Sequence, residues 1–347
     1  MIQAGKPRTI TALGLLALVV ILASSEPIQA NAVLDTVTQY MGRPPAACSQ
    51  IHDLEPTLTG TIETADDTLA FYRASDCVGS LNFIVGTPSG ALETSPVVIA
   101  LPETGKAGAR EVFGLAGDPS LSYGQTFLKA GFVVVSPEVW INGDEPDASP
   151  DWNTEKFYQR YPQWSALGRM LEDNRAVLDF ISNTRPKASC IAAVGHSLGG
   201  HNAIFLSAFD RRIDVTVSSA GFESIATDTN AERWARTSWF IYAPALRAVV
   251  SAPAPRAVPF DFNDIIATIA PRSVLVLQGT DDPTWTHVKL LRNFLQGVEH
   301  TYQVHHAGER FRLAMFPGKH EFPEAEQKEA LKFVTDQCVN RSSVMRK

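Results

Sequence analysis

The sequence predicts an α/β protein, a mostly parallel, doubly wound sheet with helices on both faces and a cap inserted near one edge. Three observations predict it. Short apolar runs recur at Val97–Leu101, Phe132–Val135, Ile191–Val194 and Val274–Leu277, and runs without alternation suit strands covered on both faces. Helical spacing separates them, as at Ala166–Ile181, where Leu167, Met170, Leu171, Val177, Leu178 and Ile181 share one face. A tight glycine-flanked turn, Gly195-His196-Ser197-Leu198-Gly199, joins one such run to a helix-compatible stretch from Asn202. Strands alternating with helices put a ligand crevice at the strands' carboxyl ends.

That turn fits the G-x-S-x-G pattern, in which a strand reverses sharply into a helix with a strained serine at the tip. A side chain at either glycine would collide with neighbouring backbone. Five residues with three fixed positions match by chance in unrelated chains, and a surface serine on a Gly-rich turn is the plainer alternative. The strand before and the helix after are the context the motif requires. Ser197 is therefore read as a nucleophile.

The 347 residues are 45% hydrophobic and 19% charged, an ordinary mixture for one domain of some 300 residues. Residues 1–30 stand apart. Lys6 and Arg8 precede the mostly apolar Ile10–Ala23 and a small-residue stretch ending Ala30-Asn31-Ala32, which reads as a secretory signal peptide cleaved after Ala30 or Ala32. A retained anchor would need roughly twenty apolar residues. No membrane insertion is expected after cleavage, and the mature chain is expected to be secreted or periplasmic. Losing Lys6, Arg8 and Glu26 moves the formal charge from −7 to −8, which gives no pull toward nucleic acid or anionic membrane. The spacings of Cys48, Cys77, Cys190 and Cys338 suit no zinc motif, and an even count in an exported chain suggests two disulfides.

Along the domain, residues 33–96 hold β-formers at Thr59–Thr64 and Leu81–Gly86, an antiparallel entry to the sheet. Val97–Leu101 follows, then a helix ending near Gly131, then Phe132–Val135, stopped by Pro137. Residues 142–162 are irregular, and Trp140, Trp152, Phe157, Tyr158 and Tyr161 are read there as a packed surface loop rather than a ligand wall. After the turn at Ser197 come a strand over Ile213–Ser219 and another over Val274–Leu277. Between them Gly221–Arg272, with Trp234, Trp239, Phe240 and Tyr242, is long enough to cap a site and select substrate. A helix at Val288–Leu295, a strand at Phe311–Phe316 and a helix at Pro323–Cys338 close the chain.

A serine hydroxyl needs an imidazole to accept its proton and a carboxylate to hold that imidazole in the right tautomer. On this kind of strand–turn–helix scaffold they follow in the order serine, acid, histidine. Two carboxylates lie just past a strand in Gly279-Thr280-Asp281-Asp282-Pro283. Asp282 is preferred, being far enough round the turn to face inward, with Asp281 as the alternative. His320 follows the last strand at its carboxyl end. His196 would point its ring away, His201 lies in the next helix, and His287, His300, His305 and His306 precede that strand. The oxyanion hole needs two backbone N–H groups, assigned to Leu198 and, from the Pro102–Gly105 loop, Thr104.

These residues, with Tyr161–Gly168, Pro259-Phe260-Asp261-Phe262, Ala270-Pro271-Arg272 and Gly318–Pro323, resemble secreted bacterial α/β hydrolases of the dienelactone-hydrolase and acetylxylan-esterase type. The resemblance spans about Leu101 to Val334. It implies the α/β-hydrolase fold and a triad of Ser197, Asp282 and His320. The chain departs from the pattern at Pro102, where relatives usually have His, and at Thr284-Trp285, where they tend to have Asn-Phe. Both touch the substrate pocket, so substrate identity does not transfer.

The leading function is a serine esterase that cleaves a small-molecule or carbohydrate ester through an acyl-enzyme, with no metal or organic cofactor. A peptidase or amidase with the same triad is one alternative, though the chain lacks room for a gating propeller. A silent binding protein is another, and the presence of all three triad residues argues against it. Topology also suggests the cysteine pairing. Cys190 opens the nucleophile strand at the end of the sheet far from the site, and the last helix runs back there from His320 to Cys338. Cys48 and Cys77 are left as a local pair; four unpaired thiols are the alternative.

Overall fold

A computed structural model describes residues 30–46, 55–75, 79–140 and 152–344. They form one nine-stranded sheet in the order β1-β2-β3-β5-β4-β6-β7-β8-β9. β1 (Thr57–Glu63), β2 (Asp67–Ser75) and β3 (Ser80–Pro88) are an antiparallel entry, and β3 pairs antiparallel with β5 (Val133–Pro137). From β5 the sheet is parallel through β4 (Val97–Leu101), β6 (Ile191–His196), β7 (Val215–Ser219), β8 (Ser273–Gly279) and β9 (Phe311–Phe316). This is the α/β-hydrolase architecture the sequence predicts.

Every residue of β4, β5, β7 and β8 is buried, and β4, β5 and β8 accordingly carry unbroken apolar runs, whereas β7 buries Thr216, Ser218 and Ser219 between its valines and the turn. The helix Leu198–Phe209 is buried almost all round between sheet and neighbouring helices, so it carries no polar stripe. Ser165 caps the helix Ala166–Thr184, its hydroxyl accepting from the Gly168 N–H at 3.0 Å.

Some elements differ from expectation. β2 was not anticipated, because Ala70, Phe71, Tyr72 and Arg73 alternate poorly; it is fixed by a nine-residue register with β3. Residues 288–295 form only a short turn and one helical turn, and the longer helix is Gln296–Val304, whose polar sequence hides an inward pair, Val298 and Tyr302. Within residues 142–162, those that are described include a helix at Glu155–Arg160, with Trp152 and Phe157 buried. Between β7 and β8, residues 221–272 form short turns and the helix Phe262–Ala267.

Cys190 and Cys338 form a disulfide with Cα atoms 5.5 Å apart, tying the start of β6 to the closing helix Glu324–Val344. Cys48, Cys77 and the signal segment lie outside the described residues. The bridge closes 148 residues of sequence, worth up to about 5 kcal/mol in the chain-entropy account. A Cys190→Ala, Cys338→Ala double variant is expected to unfold at lower guanidinium concentration than the oxidised parent. Identical midpoints would show that the bridge contributes nothing.

Candidate active site

β6 delivers Ser197 at the carboxyl edge of the sheet, where Gly195 registers against Leu101 of β4. Ser197 has φ 52° and ψ −118°, a left-handed conformation that costs a non-glycine residue about 1–3 kcal/mol. The flanking glycines make room for it. A Cβ on Gly195 would lie 2.2 Å from the Gly199 backbone, and one on Gly199 would lie 1.9 Å from the Leu101 carbonyl oxygen. The Ser197 N–H donates to Ser219 O at 2.9 Å and its carbonyl accepts from the His201 N–H at 3.1 Å. With both main-chain groups held, the hydroxyl is the group left to project from the turn.

The loops after β8 and β9 are clamped together, the Thr280 N–H donating to Phe316 O and the Asp281 N–H to Gly318 O, both at 2.9 Å. They bring in the other two side chains. His320 Nε2 lies 2.8 Å from Ser197 Oγ, and His320 Nδ1 lies 2.8 Å from Asp282 Oδ2. Asp282 is fully enclosed and also accepts from Gln278 Nε2 at 2.9 Å and the Thr284 N–H at 2.8 Å. Burial alone would raise its carboxyl, but the hydrogen bond and charge of His320, with Gln278 and Thr284, outweigh it and hold the group below its ordinary value. An ionised Asp282 keeps the proton on Nδ1 and leaves Nε2 as the acceptor facing the serine. Asp281 is exposed, and its carboxylate accepts from its neighbour Thr280 at 3.0 Å.

Leu198 opens the helix Leu198–Phe209, so its N–H has no in-helix carbonyl to reach. Thr104 is exposed in the loop after β4, which begins where the Leu101 and Pro102 carbonyls lie against Gly199. Among the described residues no group of three or more His, Cys, Asp or Glu side chains is placed to hold a metal.

Residues 78–304 match the family model of fungal glucuronyl esterases. The chain belongs to the glucuronyl esterase family. It is a carboxylic ester hydrolase. Among solved structures, a glucuronoyl esterase from Solibacter usitatus is similar at 16% identity and TM-score 0.68, with 89% of this chain and 92% of that one covered. A CE15 glucuronoyl esterase from Teredinibacter turnerae is similar at 17% identity and TM-score 0.70, over 91% and 85%. A putative acetyl xylan esterase from Bacteroides fragilis shares 16% identity at TM-score 0.62, over 89% and 83%. At these identities the likeness establishes the fold. No curated protein matches.

Two further histidines of this glucuronyl esterase chain pack near the site, His201 in the helix where the sequence places it and His196 in an orientation the sequence did not suggest. His196 was expected to turn its ring away; instead the ring packs 5.0 Å from that of His320, held by Phe322 and a 3.2 Å contact with Ser219 Oγ. Burial, then the charge of His320, pushes it down to about 3, so it is neutral. His201, one turn beyond Ser197, is enclosed by Trp234, Tyr242, Phe262 and Trp285, and burial likewise pushes it down to about 3. Trp285, where the sequence departs from the pattern, packs 6.2 Å from His320 and donates its Nε1–H to Ala220 O at 2.6 Å.

Sequence reasoning missed two carboxylates. Glu103, beside the proposed Thr104, lies 3.8 Å from His196 Nε2 and is pushed up to about 7 by burial and by Glu111. Glu223, just past β7, accepts from the His287 N–H at 2.8 Å and is likewise pushed up to about 7, by burial and Asp228. Its place past a strand end is the signal that picked out Asp282.

Glu103 gives a pH prediction. A carboxyl whose folded value is raised stabilises the fold fully below its unfolded value near 4.5, and that stability is lost as pH rises through about 7. Glu103→Gln, neutral throughout, is expected to gain roughly 3 kcal/mol on the parent between pH 4.5 and pH 8. Urea titrations at both pH values test this, and an equal difference at the two would contradict it.

Proposed function

We propose that this chain hydrolyses carbohydrate esters, those of a sugar acid first, through an acyl-enzyme on Ser197. The observation that supports this best is the continuous hydrogen-bonded chain from Ser197 Oγ through His320 to Asp282, in a member of the glucuronyl esterase family. Ser197 attacks the ester carbonyl while His320 Nε2 takes its proton. His320 then returns that proton to the departing alcohol, and Asp282 holds the imidazole and balances the charge that develops on it. The N–H groups of Leu198 and Thr104 receive the carbonyl oxygen as it becomes negative. Water, deprotonated by His320, releases the acid and restores Ser197.

The segment 221–272 acts as a cap, since its Trp234 reaches the rings around His201 and Trp285. Residues 1–30 act as a cleaved signal peptide, and export to an oxidising compartment agrees with the bridge between Cys190 and Cys338. Among the described residues no helix is long and apolar enough to cross a membrane.

Parallel rates on methyl glucuronate, acetylated xylan and 4-nitrophenyl acetate test the reading. The sugar-acid ester is expected to give the highest kcat/KM. Turnover of acetyl esters with none of the glucuronate would assign the chain to deacetylation instead.

A further inference from the structure

The cap carries a second concave site, beside the segment that reaches the triad. A cavity of about 350 Å³ is lined by Asn230, Arg236, Thr237, Ser238, Trp239 and Val250, among others, a size within the range of about 300–1,000 Å³ for small-molecule sites. Trp239 is 44% exposed, the only aromatic among the large exposed apolar side chains of the described residues. It is held there. Its backbone φ is 61°, in the left-handed region where a bulky residue is an outlier. The enclosed Thr154 fixes that bend: its N–H and hydroxyl both donate to Trp239 O, at 3.0 and 2.8 Å, and its hydroxyl oxygen accepts from the Ile241 N–H at 2.9 Å. The Arg236 guanidinium lies 4.9 Å from the indole centroid, and Arg247 Nη2 donates to Arg236 O at 2.9 Å. Strain of this kind persists where surrounding structure imposes it, and it sets an indole at the mouth of a polar cavity.

We propose that this cavity is a carbohydrate subsite, with Trp239 stacking on a pyranose ring of the chain that carries the scissile ester. A pyranose offers an apolar C–H face rimmed by hydroxyls. The cavity offers the complement, one indole with amide, hydroxyl and guanidinium groups around it. A lipid tail would need a continuous apolar wall, and here Trp239 is flanked mainly by Asn230, Thr237 and Ser238. Of the two arginines that line the space, Arg236 lies over the indole and shares the cavity with Glu232, while Arg247 is engaged with the Arg236 carbonyl, so the charge is spread around the rim rather than gathered into one anion pocket. The location fits a chain that runs on to the ester. The turn Ala231–Trp234 beside the cavity puts Trp234 5.8 Å from Trp285 in a stacked pair, and Trp285 packs against His320. Thr229 and Thr286 join the same two segments through a 3.0 Å hydrogen bond.

This rests on the carbohydrate-ester reading, and the test separates the two. Trp239→Gly removes the indole while suiting the local φ, so the variant is expected to keep the parent's melting temperature. Its kcat/KM on 4-nitrophenyl acetate is expected to match the parent, while KM on esterified xylan rises roughly tenfold, the equivalent of about 1.4 kcal/mol. Trp239→Phe should retain most of the polymer preference. Independently of catalysis, saturation-transfer NMR with xylohexaose on Ser197→Ala protein should give a signal that Trp239→Gly abolishes. Equal losses on both substrates, no change on either, or an NMR signal that survives Trp239→Gly would overturn the subsite. Loss of all ester hydrolysis in the parent with the Trp239-dependent NMR signal intact would overturn the esterase reading alone.

Discussion

Ser197→Ala is expected to fold as the parent does and to lose ester hydrolysis by several orders of magnitude. Alanine can occupy the same bent position, and the main-chain bonds that hold the turn, to Ser219 O and from the His201 N–H, do not involve the hydroxyl. What disappears is the atom 2.8 Å from His320 Nε2. The remaining activity should reflect only binding and oxyanion stabilisation, roughly 1,000 to 10,000-fold over water. Initial rates on 4-nitrophenyl acetate, with circular dichroism to establish folding, measure this. A purified variant retaining most of its activity would remove Ser197 from the mechanism.

Asp282→Asn is expected to lower kcat by a factor on the order of 10,000, and Asp281→Asn to change it by little. The reason lies in the donors around the carboxylate. Asp282 Oδ1 accepts from the Thr284 and Trp285 N–H groups, at 2.8 and 3.3 Å, so the asparagine carbonyl oxygen settles there. Its amide nitrogen then replaces Oδ2, the atom facing His320 Nδ1 and Gln278 Nε2. An N–H aimed at Nδ1 moves the imidazole proton to Nε2. The nitrogen beside Ser197 is then no longer an acceptor. Asp281 bonds to Thr280 and to the backbone of the loop after β9, through groups that asparagine retains. Steady-state kinetics of the two variants decide between them, and the reverse pattern would make Asp281 the acid.

The parts of the site that depend on chain direction were legible in the sequence. A strand–glycine–serine–glycine–helix stretch has one way to fold, and carboxylate and imidazole placed just after parallel strands must arrive at the same edge. The same reasoning from strand direction paired Cys190 with Cys338, which the structure joins. What the sequence did not disclose depends on who packs against whom. The His196 ring faces His320 because Phe322, from a loop more than a hundred residues later, stacks on it at 6.1 Å. Glu103 acquires its raised value from enclosure, then from Glu111 and Asp118, none of which spacing reveals. The helix Gln296–Val304 was hidden because few of its side chains point inward, and β2 because register with β3, not alternation, defines it.

The most direct test of the central claim, that Ser197 is a nucleophile activated by His320, is peptide mapping after reaction with a fluorophosphonate. One equivalent of label on Ser197, abolished in His320→Ala, is the result the account predicts. Label on another serine, or an unlabelled protein that still hydrolyses esters, would contradict it.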